Sequence, residues 1–186
     1  MPNATTAFGF RPIKEPDPAS LLTFVAISGT ANLFIGDAVV PGGTGSATYG
    51  FADVVRAAAG DTNVIGVVVG FEPLSPDSLT SKYGATGAVR LVKVVPAFPT
   101  TEFEVMANAS MAITDLGNRF DLVATGGDTT DGFSRMALDV SSAGTTGKTL
   151  WASRFINRPD NEYPGVTGIK VGVYFLESIW LNGPGV

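Results

Sequence analysis

Hydrophobic and polar positions alternate with a period of two along several short segments of this chain. The clearest alternation runs through residues 101–107, where the two sides are Thr101, Phe103, Val105 and Ala107 against Glu102, Glu104 and Met106. A period of two places successive side chains on opposite faces of a β-strand. We therefore expect a half-buried strand here, with both glutamates on its solvated face.

Other segments rich in β-branched and aromatic residues predict further strands. They lie at 21–28, 32–40, 63–71, 88–95, 133–138, 150–157 and 169–175. Gly36-Asp37 interrupts the second of them and predicts a bulge or a turn. Because loops rich in glycine and proline separate these segments, we expect an all-β fold of roughly eight to ten strands. It would be a barrel or a sandwich with at most one or two short helices.

Three segments leave local alternatives open. Residues 51–60 have apolar positions at helical spacing, but a strand ending at Gly60 fits as well. Ile113, Leu116 and Phe120 are spaced as in one short helical turn. Arg90 and Lys93 fall on opposite faces of one predicted strand, which favours a bulge or an edge position there.

The first twenty residues contain four prolines and predict an extended N-terminal arm, because proline blocks helices and cannot donate a ladder hydrogen bond. Residues 21–186 then form a single β-rich domain. Phe8 and Phe10 are apolar points along the arm, which either reaches onto a neighbouring subunit or folds back onto its own domain. Residues 1–10 have neither a basic nor an apolar region typical of a signal peptide, so we expect none.

The amino-acid composition disfavours several kinds of functional site. Among 186 residues there is no histidine and no cysteine, the side chains on which neutral-pH proton transfer, zinc sites and thiolate chemistry most often depend. Charged residues make up only 16%, against about 25% in typical globular proteins, which favours some apolar surface covered by a partner. The net charge of −5, with scattered basic residues, disfavours nucleic acid as that partner. No apolar run approaches the roughly 20 residues of a membrane span.

Three short motifs suggest chemistry, and each has a simpler interpretation. Residues 144–149 (GTTGKT) are similar to the end of a phosphate-binding loop, but Ser142 stands where that motif needs glycine, and a strand follows. Asp128 and Asp131 lack the ladder of ligands of a calcium loop and fit a turn with Asx hydrogen bonds. Glu102 and Glu104 fit a solvated face better than an acid–base pair. We expect no catalytic residue, no cofactor and no metal, and hence no enzyme.

Aromatic residues are concentrated in the last forty positions. They are Trp151, Phe155, Tyr163, Tyr174, Phe175 and Trp180. Packing in the core or at a subunit interface is favoured, because aromatic residues dominate both. A surface that stacks carbohydrate is the alternative, and it needs an exposed Trp151 or Trp180.

One family resemblance follows from these segments. The segments that carry it are, in chain order, residues 9–12 (GFRP), 58–61 (AAGD) and 65–71 (IGVVVGF), Pro99 with residues 103–105 (FEV), residues 157–162 (NRPDNE) and the alternating strand 169–175. This order resembles the cement or decoration proteins of tailed bacteriophages. The linker 163–168 is longer than is usual in that family, and the chain departs from the family pattern after Leu176.

The resemblance implies a structural virion protein on the exterior of the capsid, made in the cytoplasm of the bacterial host. Its partners would be the major capsid protein and further copies of itself, with a homotrimer favoured over a homodimer. Neither nucleic acid nor a membrane would be bound. The alternatives are another virion component, such as a head-tail connector or a tail protein, and a small β-sandwich module that binds glycans.

Within that picture five residues are candidates for the interface: Phe8, Phe10, Arg11, Arg158 and Glu162. The first three belong to the arm and would contact a neighbour. Arg158 and Glu162 are charge partners that either pair across an interface or hold the geometry of their own loop.

Overall fold

The computed structural model describes residue 3 and residues 5–14, 21–26, 31–73 and 81–181. These ranges contain eleven strands, one 3₁₀ turn at Ile113–Asp115 and no α-helix, so the predicted all-β fold is confirmed. The strands are β1 Arg11–Lys14, β2 Leu22–Ala26, β3 Ala38–Gly45, β4 Ala52–Arg56, β5 Gly66–Glu72, β6 Arg90–Pro96, β7 Glu102–Met106, β8 Arg119–Val123, β9 Ala137–Gly144, β10 Leu150–Phe155 and β11 Lys170–Phe175.

The strands form two sheets. Six of them make an antiparallel sheet in the order β1-β7-β11-β10-β8-β9. The other five close into a small barrel in the order β2-β4-β3-β5-β6, and β2 meets β4 in parallel at Val25 and Asp53. Strand β9 also reaches the end of β7, where the Asn108 N–H donates to the Leu138 carbonyl at 2.9 Å.

Strands β3, β5 and β6 form a wall between two apolar clusters. Val67 and Val95 pack into the cluster shared with the six-stranded sheet, whereas their neighbours Val68 and Val94 pack into the cluster inside the barrel. A strand covered on both faces needs apolar residues at every position. This explains why residues 63–71 show a continuous apolar run instead of alternation.

The N-terminal segment packs against its own chain. Phe10 is 1% exposed, its ring lies 5.2 Å from that of Phe175, and its N–H donates to the Gly36 carbonyl at 2.8 Å. Gly9 has a φ of 74°, and a Cβ there would lie 2.5 Å from the Gly36 oxygen, so the close approach requires glycine. Residues 8–14 therefore fold back onto their own domain, which is one of the two interpretations of the N-terminal arm. Residues 15–20 lie outside the described part, and the division into an arm and a domain stays a prediction.

Some local expectations are wrong. Glu102 and Glu104 are buried, because arginines cover the face of β7 on which they lie. Strand β6 lies between β2 and β5 and is not at an edge. The irregularity falls in its partner β5, between Val68 and Gly70, opposite Lys93. Of the alternatives for residues 51–60, a strand is observed, but it ends at Arg56 and not at Gly60.

Asp37 is a buried carboxylate in the turn that the sequence predicts at Gly36-Asp37. Its own N–H donates to the Phe34 carbonyl at 3.1 Å, and its Oδ2 accepts from the Phe34 N–H at 2.9 Å. Burial raises the pKa of Asp37 to about 6, although Ser134, the Phe34 N–H and the charge of Arg56 oppose that rise. The turn that supports Gly36, and with it Phe10, thus contains a carboxyl group that binds a proton more tightly than it would in water.

We expect Phe10→Ala to lower the free energy of unfolding by about 3–5 kcal/mol, since it removes a buried ring. Phe51→Ala, at a residue that is 39% exposed, is the matched control and should cost less than about 1 kcal/mol. Both are measured by chemical denaturation at several protein concentrations. A loss for Phe10→Ala that shrinks on dilution would mean that Phe10 packs on another copy, and a loss no larger than the control's at every concentration would contradict its packing in the core.

The Asp37→Asn variant should reveal the raised pKa of this carboxyl. Because the folded state binds the proton more tightly than the unfolded state, the favourable contribution of Asp37 is complete below pH 4 and is lost as the pH rises through about 6. The wild type should therefore lose stability relative to Asp37→Asn over this window, by at most roughly 3 kcal/mol. A difference in the free energy of unfolding between the two proteins that stays constant from pH 4 to pH 8 would contradict this.

Candidate interface on the six-stranded sheet

The loop between β10 and β11 is fastened by one buried asparagine. The Asn161 side-chain amide donates to the carbonyls of Ile156, at 2.8 Å, and of Lys170, at 2.9 Å. Its Oδ1 accepts from the Lys170 N–H at 2.7 Å. An amide side chain can do this because it carries donors and an acceptor together. The two ends of the loop are thereby held beside each other.

Two buried glutamates of β7 pair with arginines, Glu104 with Arg158 of this loop and Glu102 with Arg154 of β10. Glu102 and Glu104 are on the face of β7 opposite Phe103 and Val105, which point into the apolar cluster. Arg154 holds Glu102 through two hydrogen bonds, from Nε to Oε1 at 2.8 Å and from Nη2 to Oε2 at 3.0 Å. This bidentate geometry is the strong form of the arginine–carboxylate pair.

Glycine provides the room for the Glu102 carboxylate. Gly172 lies on the neighbouring strand β11, and a Cβ at this position would be 2.3 Å from Glu102 Oε1. The Ser153 hydroxyl donates to the same oxygen at 3.1 Å. The hydrogen bond from Arg154 is the main reason that the pKa of Glu102 lies below its usual range. Glu102 is therefore charged at neutral pH.

A chain of alternating charges continues from Glu104 along the loop. Arg158 pairs with Glu104, and its Nε lies 3.6 Å from Asp160 Oδ1. Asp160 in turn pairs with the buried Lys170, whose hydrogen bond lowers the pKa of the Asp160 carboxyl. The side chains of Glu104 and Arg158 are 2% and 43% exposed. Both ends of the chain of charges, Glu104 and Lys170, are therefore buried, while Asn157, Arg158 and Pro159 stay exposed at the tip of the loop.

The N-terminus meets the same loop through Asn3. Its side-chain amide donates to the carbonyls of Glu162, at 3.0 Å, and of Thr167, at 3.1 Å, and its Oδ1 accepts from the Glu162 N–H at 2.6 Å. Two distant parts of the sequence therefore form one surface. A cavity of about 310 Å³ lies beside this contact, with Asn3, Met106 and Thr167 in its lining.

The five predicted interface residues lie in two places. Phe8 and Phe10 are buried within their own chain, and the Arg11 guanidinium lies 4.1 Å above the Phe8 ring. Arg158 is held on Glu104, and the exposed Glu162 is bound through its backbone to Asn3. The ion pairs of Arg158 are thus with Glu104 and Asp160, whereas the sequence suggested Glu162 as its partner. Contact of these five residues with a partner stays a prediction.

The other motifs form turns. The Oδ1 atoms of Asp128 and Asp131 accept from the N–H groups of Thr130 and Phe133, which confirms the Asx turns. Residues 145–149 connect β9 to β10, and Lys148 Nζ lies 2.7 Å from Asp121 Oδ2. The described ranges contain no group of three or more acidic side chains that could hold a metal ion. They also contain no helix long and apolar enough to cross a membrane.

Sequence reasoning missed the residues that organise this surface, above all Arg154, Asn161 and Asn3. One signal was present: two glutamates on one strand, and two arginines four residues apart around the end of another. Two acidic residues on one segment and two basic residues on another indicate mutual compensation, but only if the two segments are known to be near each other. Nothing local in the sequence marks Asn3 or Asn161.

Comparison with known proteins gave no assignment. No protein-family model matches the chain. Neither a curated protein nor a solved structure matches it.

We expect Arg158→Met to lower the free energy of unfolding by about 2–3 kcal/mol. This is less than the roughly 3–5 kcal/mol of a fully buried pair, because Arg158 is partly solvated. Adding Glu104→Gln should restore part of the loss, since the uncompensated charge is then removed. Arg119→Met, at another exposed arginine of the same sheet, is the control and should cost little. The free energies of unfolding are measured by urea denaturation. Equal losses of stability for the two arginine variants, or a double variant less stable than Arg158→Met, would contradict the pairing.

Proposed function

We propose that this chain is a structural virion protein that binds the outer surface of a tailed-phage capsid and stabilises its lattice. The observation that carries the proposal is the conformation of residues 157–162, the segment most similar to the cement proteins. It forms an exposed loop whose ends and underside are held by Asn161, Glu104 and Lys170.

A loop held in this way suits binding to a repeated lattice. Ordering a flexible loop on binding costs free energy, and a loop already held in one conformation avoids much of that cost. Binding to the assembled lattice, but not to free subunits, stabilises the lattice by mass action. Self-association, with a homotrimer favoured, would add avidity across neighbouring sites.

The position of the N-terminus also supports this proposal. Asn3 joins the N-terminal segment, which also contains residues 9–12 of the resemblance, to the loop. The surface offered to the major capsid protein would then combine both segments. The net charge of −5 suits a protein outside the shell, away from packaged DNA. A head-tail connector or a tail protein is the alternative within the virion.

The first test is quantitative mass spectrometry of gradient-purified particles from the source. We expect close to one copy of this chain per copy of the major capsid protein, because a cement protein occupies the repeating lattice. A few copies per particle would instead favour the connector or tail role. Absence from particles would refute a virion protein altogether.

The contact surface is tested by adding purified chain to particles that lack it. Asn157→Arg should weaken co-sedimentation strongly, because Asn157 is exposed and its side chain makes no hydrogen bond with the described residues. Thr48→Arg introduces the same side chain at an exposed position in the loop between β3 and β4, and this variant should bind like the wild type. Equal binding of the two variants would remove the loop from the interface.

A further inference from the structure

A groove of about 500 Å³ lies at one end of the six-stranded sheet, away from the loop 157–162. Its volume falls within the roughly 300–1,000 Å³ of small-molecule sites. Aromatic and apolar side chains line one part, among them Trp151, Tyr174, Leu176 and Leu181. Charged and hydroxyl groups line the rest.

The Trp151 ring is an exposed platform held in place by its own chain. Its indole N–H donates to the Gly117 carbonyl at 3.0 Å, while the residue stays 37% exposed. Tyr174 lies directly opposite on β11, with ring centroids 5.8 Å apart and ring planes at 36°. The second tryptophan, Trp180, differs because it packs against both apolar clusters and donates to the Ile65 carbonyl at 2.7 Å.

The polar part of the groove carries more positive than negative charge. Arg154 neutralises Glu102, whose carboxylate lies buried beneath it. Arg154 uses Nε and Nη2 for this pair, and its Nη1 has no hydrogen-bond partner among the described residues. Lys14, exposed on β1, makes no ion pair within those residues. Among the described residues that line the groove, Lys14 and Arg154 are the cations, and the one carboxylate, Glu102, is compensated by Arg154.

We propose that this groove binds a carboxylate-bearing saccharide, with a sugar ring stacked on Trp151 and its carboxylate held by Arg154 and Lys14. The amphipathic ring of tryptophan suits the apolar face of a sugar, and Nη1 of Arg154, which the pair with Glu102 leaves unused, can donate to a carboxylate. The groove's excess positive charge selects an acidic saccharide over a neutral one. This site is independent of the proposed capsid contact.

The test is a titration of the isotope-labelled chain with digalacturonate, monitored through the two tryptophan indole N–H signals in NMR spectra. Trp151→Phe assigns them. We expect the Trp151 signal to shift and saturate while the Trp180 signal stays in place. Neutral galactobiose should bind at least tenfold more weakly. No saturable shift, a shift confined to Trp180, or equal affinity for both sugars would overturn the proposal.

Variants separate the two parts of the site, with affinities measured by calorimetry. Trp151→Ala should abolish measurable binding, whereas Tyr49→Ala, at an aromatic residue of equal exposure in the barrel (38%), should leave it unchanged. Lys14→Gln should weaken digalacturonate binding about three- to tenfold. It is preferred to a change at Arg154, which would expose the charge of Glu102. Unchanged affinity in Trp151→Ala or in Lys14→Gln would refute the stated geometry. Capsid binding is measured separately on particles, so the two proposals fail independently.

Discussion

The compensation of two buried carboxylates governs the six-stranded sheet. Glu102 and Glu104 lie on one strand, nearly out of contact with water, and both point away from the apolar cluster. A buried charge without a partner costs several kcal/mol, so each must have a cation close by. Arg154 and Arg158 provide those cations from β10 and from the loop that follows it. The path of that loop therefore follows from the position of the glutamates.

Other features of this face can be understood from the same constraint. Gly172 is needed where the Glu102 carboxylate crosses the neighbouring strand. Asn161 and the Asp160–Lys170 pair hold the loop so that Arg158 remains over Glu104. Asn3 then brings the N-terminus to the outside of the loop. Strand β7 is thus buried on both faces for different reasons, apolar packing on one and ion pairing on the other.

The elements of the fold could largely be predicted from local pattern. Strands β7 and β11 appear near the expected residues, a turn forms at Asp37, and the turns at Asp128 and Asp131 use the expected Asx hydrogen bonds. These depend on neighbours in sequence, where spacing and residue type carry the information. The burial of Glu102 could not be predicted in this way. Its partner lies 52 residues away, and an isolated glutamate on an alternating strand normally faces water.

The sequence by itself therefore determined the all-β class and most strand positions, because backbone geometry and side-chain alternation are local properties. Only the tertiary structure decided that residues 8–14 fold onto their own chain, and that Arg154 and Arg158 cover the glutamates of β7. It also decided that Trp151 is exposed while Trp180 packs into the core. Each of these outcomes is set by contacts between segments distant in the chain. Such contacts form only when packing brings the segments together, and no local pattern encodes them.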